Sequence, residues 1–77
     1  MQKRRKPEEG EKVYELTPNN LVSEWIVEKV SKSRFGAVYR LSRESGDSFC
    51  TFTDSDLGRR IFINKDDAVK EMHRKAL

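Results

Sequence analysis

Alternating apolar and polar positions predict a β-hairpin in the middle of the chain. Residues 35–41 alternate without a break, which is typical of a strand with one buried face. The residues on that face are Phe35, Ala37, Tyr39 and Leu41. Residues 49–53 form the returning strand, and Gly46 stands in the connection, where a hairpin turn requires positive φ.

Two further strands are predicted upstream. The first covers residues 13–16 and ends at the turn-forming residues 17–20. The second covers residues 25–30, and its apolar positions change parity, which predicts a bulge or a pronounced twist near Glu28. We interpret residues 21–24 as a short irregular link or a single helical turn, and residues 31–34 as a polar turn.

The last third of the chain predicts a tight turn, a short strand and a helix. Residues 54–58 suit one 3₁₀ turn with Leu57 pointing inward. After a short apolar strand, Asn64 is a good N-cap residue. Acidic residues open the helix and basic residues close it, in agreement with the helix dipole. Its apolar face carries Ala68, Val69, Met72 and Ala76.

These elements predict an α+β protein that is mainly β. Five short strands and one C-terminal helix fit a small five-stranded antiparallel barrel or a strongly bent sheet. The helix then closes one open end or covers an edge. The alternative is an open antiparallel sheet with the helix across one face. We expect one domain over residues 13–77, preceded by a flexible charged arm over residues 1–12.

The net charge of +3 belongs mostly to that arm. Its basic block consists of Lys3, Arg4, Arg5 and Lys6. From Val13 to Leu77 the chain has 11 Lys and Arg against 10 Asp and Glu, so the folded part is nearly neutral. The arm is either a solvated end or a segment that contacts phosphates by charge alone.

Cys50 is the only cysteine, which excludes an internal disulfide and a cysteine-based zinc site. No run of residues is long and apolar enough for a membrane span, and the first residues lack the apolar core of a secretory signal. We therefore expect a cytoplasmic protein without a membrane partner.

The chain carries no recognisable catalytic set. His73 is the only histidine and is explained as a cation near a helix C-terminus, while Cys50 is explained as a small buried side chain. Asp54 and Asp56 have the first spacing of a calcium loop, but Gly58 falls one place early and no carboxylate closes the loop. We predict no enzyme activity, no metal and no cofactor.

Three stretches of the chain resemble a group of short uncharacterised proteins encoded by phages and mobile elements of clostridial bacteria. These stretches are residues 10–14, 24–30 and 52–68. The usual ending of the group reads Gly-Lys-Thr-Val-Phe-Leu-Thr-Arg-Glu-Glu-Ala, against Gly-Arg-Arg-Ile-Phe-Ile-Asn-Lys-Asp-Asp-Ala here. The resemblance implies a mobile-element origin and a small barrel of the Src-homology-three type. It carries no catalytic residue across.

Binding is the function class that remains. The first hypothesis is a module that binds a host protein, for example a defence nuclease, as anti-CRISPR proteins do. The second is a nucleic-acid-binding module, in which arginines combine with Trp25 and Tyr39 as stacking residues unless both aromatics lie in the core. The third is a self-associating structural protein, and the oligomeric state is left open. The candidate binding residues are Lys3, Arg4, Arg5, Lys6, Arg34, Arg40, Arg43, Arg59 and Arg60.

Overall fold

The computed structural model describes residues 6–34 and 36–76. Within them the fold is mainly β, with five antiparallel strands in one sheet and one C-terminal helix, as predicted. The elements are β1 (Lys12–Leu16), β2 (Val22–Ser33), β3 (Gly36–Ser42), β4 (Phe49–Thr53), a 3₁₀ turn (Asp54–Asp56), β5 (Ile61–Phe62) and α1 (Lys65–Ala76). None of the helices in the described residues has the length and apolar character that crossing a membrane requires.

The sheet is open. Its strand order is β4-β3-β2-β1-β5, so β4 and β5 lie at opposite ends. The prediction of a closed barrel is therefore wrong in the part of the chain that the structure describes. β5 has only two residues, and both of them pair with β1 at Tyr14 and Glu15, so no ladder of hydrogen bonds joins β5 to β4.

β2 is longer than predicted at both ends. Residues 22–24 and 31–33 belong to the strand, because Val22 pairs with Leu16 in β1 and Ser33 pairs with Gly36 in β3. Backbone pairing across the two adjoining turns therefore extends the strand into segments predicted as a link and a turn. The predicted bulge is confirmed, since the register between β2 and β3 shifts between Val27 and Lys29.

One face of the sheet covers the main hydrophobic core. Tyr39 on β3 and Phe52 on β4 stack with ring centroids 4.5 Å apart. Leu57, after the 3₁₀ turn, is buried as predicted. The core residues are Val13, Trp25, Val27, Ala37, Tyr39, Leu41, Phe52, Leu57 and Ile61. Phe35, predicted on the same face, lies outside the described residues.

The helix packs on the opposite face of the sheet, over β1 and β5. Ala68 is fully buried there against Leu16 and Phe62, with Met72 packed beside them. This position matches the alternative of a helix across one face. The amide of Asn20 donates to the Met72 carbonyl at 3.2 Å and ties the helix to the β1–β2 turn. Ala76 is exposed, so the apolar face of the helix ends before it.

The described part of the N-terminal segment, before β1, runs alongside β2. The Gly10 N–H donates to the Val27 carbonyl at 2.8 Å, and Glu9 accepts from the Val30 N–H at 3.1 Å. Pro7 is buried. The flexible arm over residues 1–12 stays a prediction, and Lys3, Arg4 and Arg5 lie outside the described residues.

The carboxylate of Asp54 joins this segment to β3. It accepts hydrogen bonds from the Ala37 N–H at 2.9 Å, from the Tyr39 hydroxyl at 2.7 Å and from Lys6 at 3.2 Å. The Ala37 N–H, with help from Tyr39 and Lys6, holds the pKa of Asp54 below its usual range. Burial and the same carboxylate raise the pKa of Tyr39. At neutral pH Asp54 is therefore ionised and the Tyr39 hydroxyl is protonated, as this hydrogen bond requires.

Replacement of Asp54 by Asn is expected to destabilise the protein at pH 7 by about 1–3 kcal/mol, because the buried donors lose a charged acceptor. The folded pKa of Asp54 lies below its unfolded value. Its stabilisation is therefore present above about pH 4 and is lost as the pH falls through the folded pKa. Urea unfolding across this pH range should show that the free energy of unfolding falls less with decreasing pH in Asp54→Asn than in the wild type. Asp47→Asn, in the exposed hairpin turn, should match the wild type.

Gly36→Ala is expected to destabilise the protein more than Gly46→Ala. Both glycines have positive φ, +111° and +79°, so both variants acquire backbone strain of about 1–2 kcal/mol. A Cβ at Gly36 also meets Asp54 Oδ2 at 2.8 Å, whereas a Cβ at Gly46 meets nothing within 4 Å. Because the Ala37 N–H holds Asp54 in place, that contact cannot relax without the loss of a hydrogen bond. Equal unfolding free energies for the two variants would contradict this account.

Candidate functional site

Arg43 and Trp25 form the first part of a candidate binding surface at the edge of the main core. The Arg43 guanidinium lies over the Trp25 ring, 3.7 Å from its centroid, and donates to the Glu24 carbonyl at 2.7 Å. Trp25 itself is 7% exposed, so Arg43 covers an aromatic side chain that is otherwise part of the core. A guanidinium held between a ring and a carbonyl has little freedom left to lose on binding.

Glu15 links this pair to a second arginine. One carboxylate oxygen accepts from Trp25 Nε1 at 3.0 Å, and the other lies 3.6 Å from Arg60. Arg60 also contacts Asp56 at 3.5 Å. We call the set Glu15, Trp25, Arg43 and Arg60 the Trp25 rim.

The register of the sheet positions these side chains. Trp25 pairs with Val13, and Glu15 pairs with Ile61, the residue after Arg60. Because alternate residues share a face, Glu15 points to the same side of β1 as the buried Val13. The Glu15 carboxylate therefore lies at the boundary of the core, where the Trp25 indole N–H and the Arg60 guanidinium bind it.

Cys50 lies close enough to the Trp25 rim for the charged residues of the rim to shift the pKa of its thiol. Burial is the largest cause of its raised pKa, and the charge of Glu15 raises it further. Arg60 and Arg43 lower it by smaller amounts. The thiol is therefore protonated at neutral pH, which does not favour a nucleophile.

Of the predicted arginines within residues 6–34 and 36–76, the structure brings two together. Arg43 and Arg60 meet through Trp25 and Glu15 in the Trp25 rim. Arg40 lies elsewhere, on the outer face of β3, where it contacts Glu28 at 3.3 Å and covers the Phe49 ring at 4.6 Å.

The other predicted residues are distributed over separate surfaces. Lys6 is held by Asp54. Arg34 and Arg59 are exposed, and their side chains have no partner within residues 6–34 and 36–76. Tyr39, predicted as either a stacking or a core residue, is fully buried. The assignment of all nine cations to one binding function stays a prediction.

Sequence reasoning missed Glu15 as a member of the Trp25 rim and Asp56 as a contact of Arg60. The available signal was the parity of β1, since Glu15 occupies the same alternating position as Val13. Nothing in the local pattern of Asp56 pointed to Arg60, four residues on.

An open depression of about 380 Å³ adjoins the rim. It lies between the β1–β2 turn and the end of the helix, and it adds a second cation, Lys75, to Arg60. Its lining residues are Leu16, Thr17, Pro18, Asn20, Arg60 and Lys75. The depression and the rim therefore share one arginine.

The described residues contain no group of three or more His, Cys, Asp or Glu side chains placed to hold a metal ion. Comparisons of the chain with protein-family models, with curated proteins and with solved structures found no match. The geometry of the chain itself is therefore the basis for a functional assignment.

Removal of the Glu15 charge should make Cys50 more reactive. In Glu15→Gln the acceptor for Trp25 is kept, but the negative charge that raises the Cys50 pKa is lost, so more thiolate forms at a given pH. Iodoacetamide alkylation, followed by mass spectrometry between pH 7 and 9, should be faster in this variant. Glu44→Gln, an exposed change in the hairpin turn, serves as the control. An unchanged or slower rate in Glu15→Gln would contradict the assigned electrostatics.

Proposed function

We propose that this chain is a non-catalytic module that binds another protein and that the Trp25 rim is the centre of its contact surface. The observation that carries the proposal is the pair of arginines held in place by a tryptophan and a glutamate. Tryptophan and arginine are enriched among the residues that dominate binding energies at protein interfaces. Their fixed positions reduce the entropy cost of association.

The distribution of charge favours a protein partner over a phosphate backbone. Nucleic-acid affinity rests on cations that are free to replace condensed counterions. Here Arg60 contacts Glu15 and Asp56, and Arg40 contacts Glu28. Acidic and basic groups alternate across the surface, a pattern that complements a mixed-charge protein surface better than a uniformly negative one.

The chemistry of the surface indicates which groups on the partner would bind. Arg60 and Lys75 line the depression, and Arg43 lies in the adjoining Trp25 rim. The partner should therefore present a carboxylate beside an apolar or aromatic side chain. The resemblance to phage and mobile-element proteins supplies the class of partner, a host protein such as a defence nuclease. A cytoplasmic location is part of the same proposal.

We also propose that the five strands form a curved sheet with the character of a small, partly open barrel. A strand order of β4-β3-β2-β1-β5 and a 3₁₀ turn between the last two strands support a partly open barrel of the Src-homology-three type. A single core that draws on all five strands and the 3₁₀ link is also consistent with a curved sheet.

Affinity capture from a nuclease-treated host lysate tests the binding function. Wild-type chain should retain a stoichiometric protein partner, and Arg43→Gln should reduce its affinity by tenfold or more, as expected for a central interface residue. Arg40→Gln is a matched control, because Arg40 also covers an aromatic ring but lies outside the rim. Urea unfolding of both variants separates binding from folding defects.

Two results would contradict the proposal. One is the absence of any partner in the nuclease-treated lysate. The other is a partner whose affinity Arg43→Gln leaves unchanged. The nucleic-acid alternative has its own support in Arg34 and Arg59, whose exposed side chains have no partner within residues 6–34 and 36–76. Nucleic-acid binding would be supported if the chain retains its partner only when nucleic acid is present, and if that retention falls steeply as the salt concentration rises.

A further inference from the structure

A second candidate surface is the outer edge of β4. In the described residues β4 pairs only with β3, so its other side carries backbone groups without strand partners. The opposite end of the sheet is protected, because the segment after the 3₁₀ turn folds back on β5. There the Gly58 N–H donates to the Ile61 carbonyl at 2.8 Å, and Leu57 bridges to Ile61. The β4 edge is therefore the open one.

Two hydrogen bonds identify the β4 groups that point outward. The Ala37 N–H points toward the β4 side, where it donates to Asp54, so Tyr39 and Leu41 also direct their backbone groups to β4. The Thr53 N–H donates to Asp56 at 3.1 Å instead of to β3. Because backbone direction alternates along a strand, the N–H and C=O groups of Phe49 and Thr51 face away from the sheet.

The side chains of β4 leave this edge unprotected. The strand Phe49–Thr53 contains no charged residue and no proline, the usual devices that block edge pairing. Phe49 is 51% exposed on the outer face. Asp56 blocks the edge at Thr53, so the free stretch is confined to Phe49 and Thr51.

We propose that this edge pairs with the β4 edge of a second copy of the chain, in antiparallel orientation and centred on Cys50. In this register Phe49 of each copy faces Thr51 of the other. Four hydrogen bonds then use every outward N–H and C=O group of these two residues. A register centred on Thr51 would instead require the Thr53 N–H, which Asp56 holds. The free groups of the edge therefore select one register.

The charged groups at the two ends of β4 are compatible with this arrangement. Asp47, in the hairpin turn, comes opposite Thr53 of the second copy. The next residue there is Asp54, whose charge is offset by Lys6 at 3.2 Å, and the Lys6 side chain is 64% exposed. Arg34, in the turn before β3, adds a cation near the same end. Asp56, which accepts from the Thr53 N–H, lies at the same end and is offset by Arg60 at 3.5 Å. Each carboxylate at this end therefore has a cation beside it, so Asp47 of the second copy meets no unpaired negative charge.

Sedimentation equilibrium over a range of concentrations tests the pairing on the full chain. We expect a reversible dimer whose dissociation constant rises about tenfold or more in Thr51→Pro, because each copy loses one outward donor. The β3 ladder does not use this N–H, so the fold should survive. Thr51→Val keeps the N–H and is the matched control, with an unchanged dissociation constant.

Hydrogen exchange and mild oxidation give readouts that do not depend on the proline variant. Exchange at the Phe49 and Thr51 amides should slow as the wild-type concentration rises. Two Cys50 residues facing each other in a non-hydrogen-bonded pair have Cα atoms at about 4.5 Å, within the range for a disulfide, so oxidation should trap the dimer. A chain that stays monomeric at millimolar concentration overturns the proposal. So does a dimer that Thr51→Pro leaves unchanged, or an edge occupied only by a different protein.

Discussion

The carboxylate of Asp54 is the interaction on which the architecture depends. β4 ends at Thr53, so β3 would otherwise leave the Ala37 N–H without an acceptor at the boundary of the core. Asp54 supplies that acceptor and at the same time orients the buried Tyr39 hydroxyl. The chain then turns through the 3₁₀ segment, which delivers Leu57 to the core and allows Ile61 to pair with β1.

The short β5 strand and its partner β1 serve both faces of the sheet. Val13 and Ile61 belong to the main core, while Leu16 and Phe62 contact the helix. This division follows from the two-residue period of a strand. The helix therefore stabilises β1 and β5 by packing on the face opposite the main core. This support matters because β5 is too short to be stable through pairing alone. The same alternation places Glu15 on the core side, where it organises the Trp25 rim.

The two candidate surfaces differ in how their polar groups are satisfied. At the Trp25 rim, Glu15 already has an indole N–H and a guanidinium as partners, so a ligand there must complement groups that are fixed in advance. At the β4 edge, backbone groups of Phe49 and Thr51 have no strand partner among the described residues, and a second strand would supply one. The first surface favours selective recognition of side chains. The second favours recognition of another backbone.

Local patterns in the sequence determined the central hairpin, the bulge near Glu28, the inward Leu57 and the charged ends of the helix, because each depends on neighbours within a few residues. β2 extends to Val22 and Ser33 because of pairing across its two adjoining turns, which the apolar pattern does not mark. Tertiary structure alone decided that the sheet is open and that Arg43 is linked to Arg60 through Trp25 and Glu15. Those outcomes depend on pairing between strands that lie far apart in sequence, which residue periodicity does not encode. The chemistry of single residues was readable from the chain, but their grouping into a site required the register of the sheet.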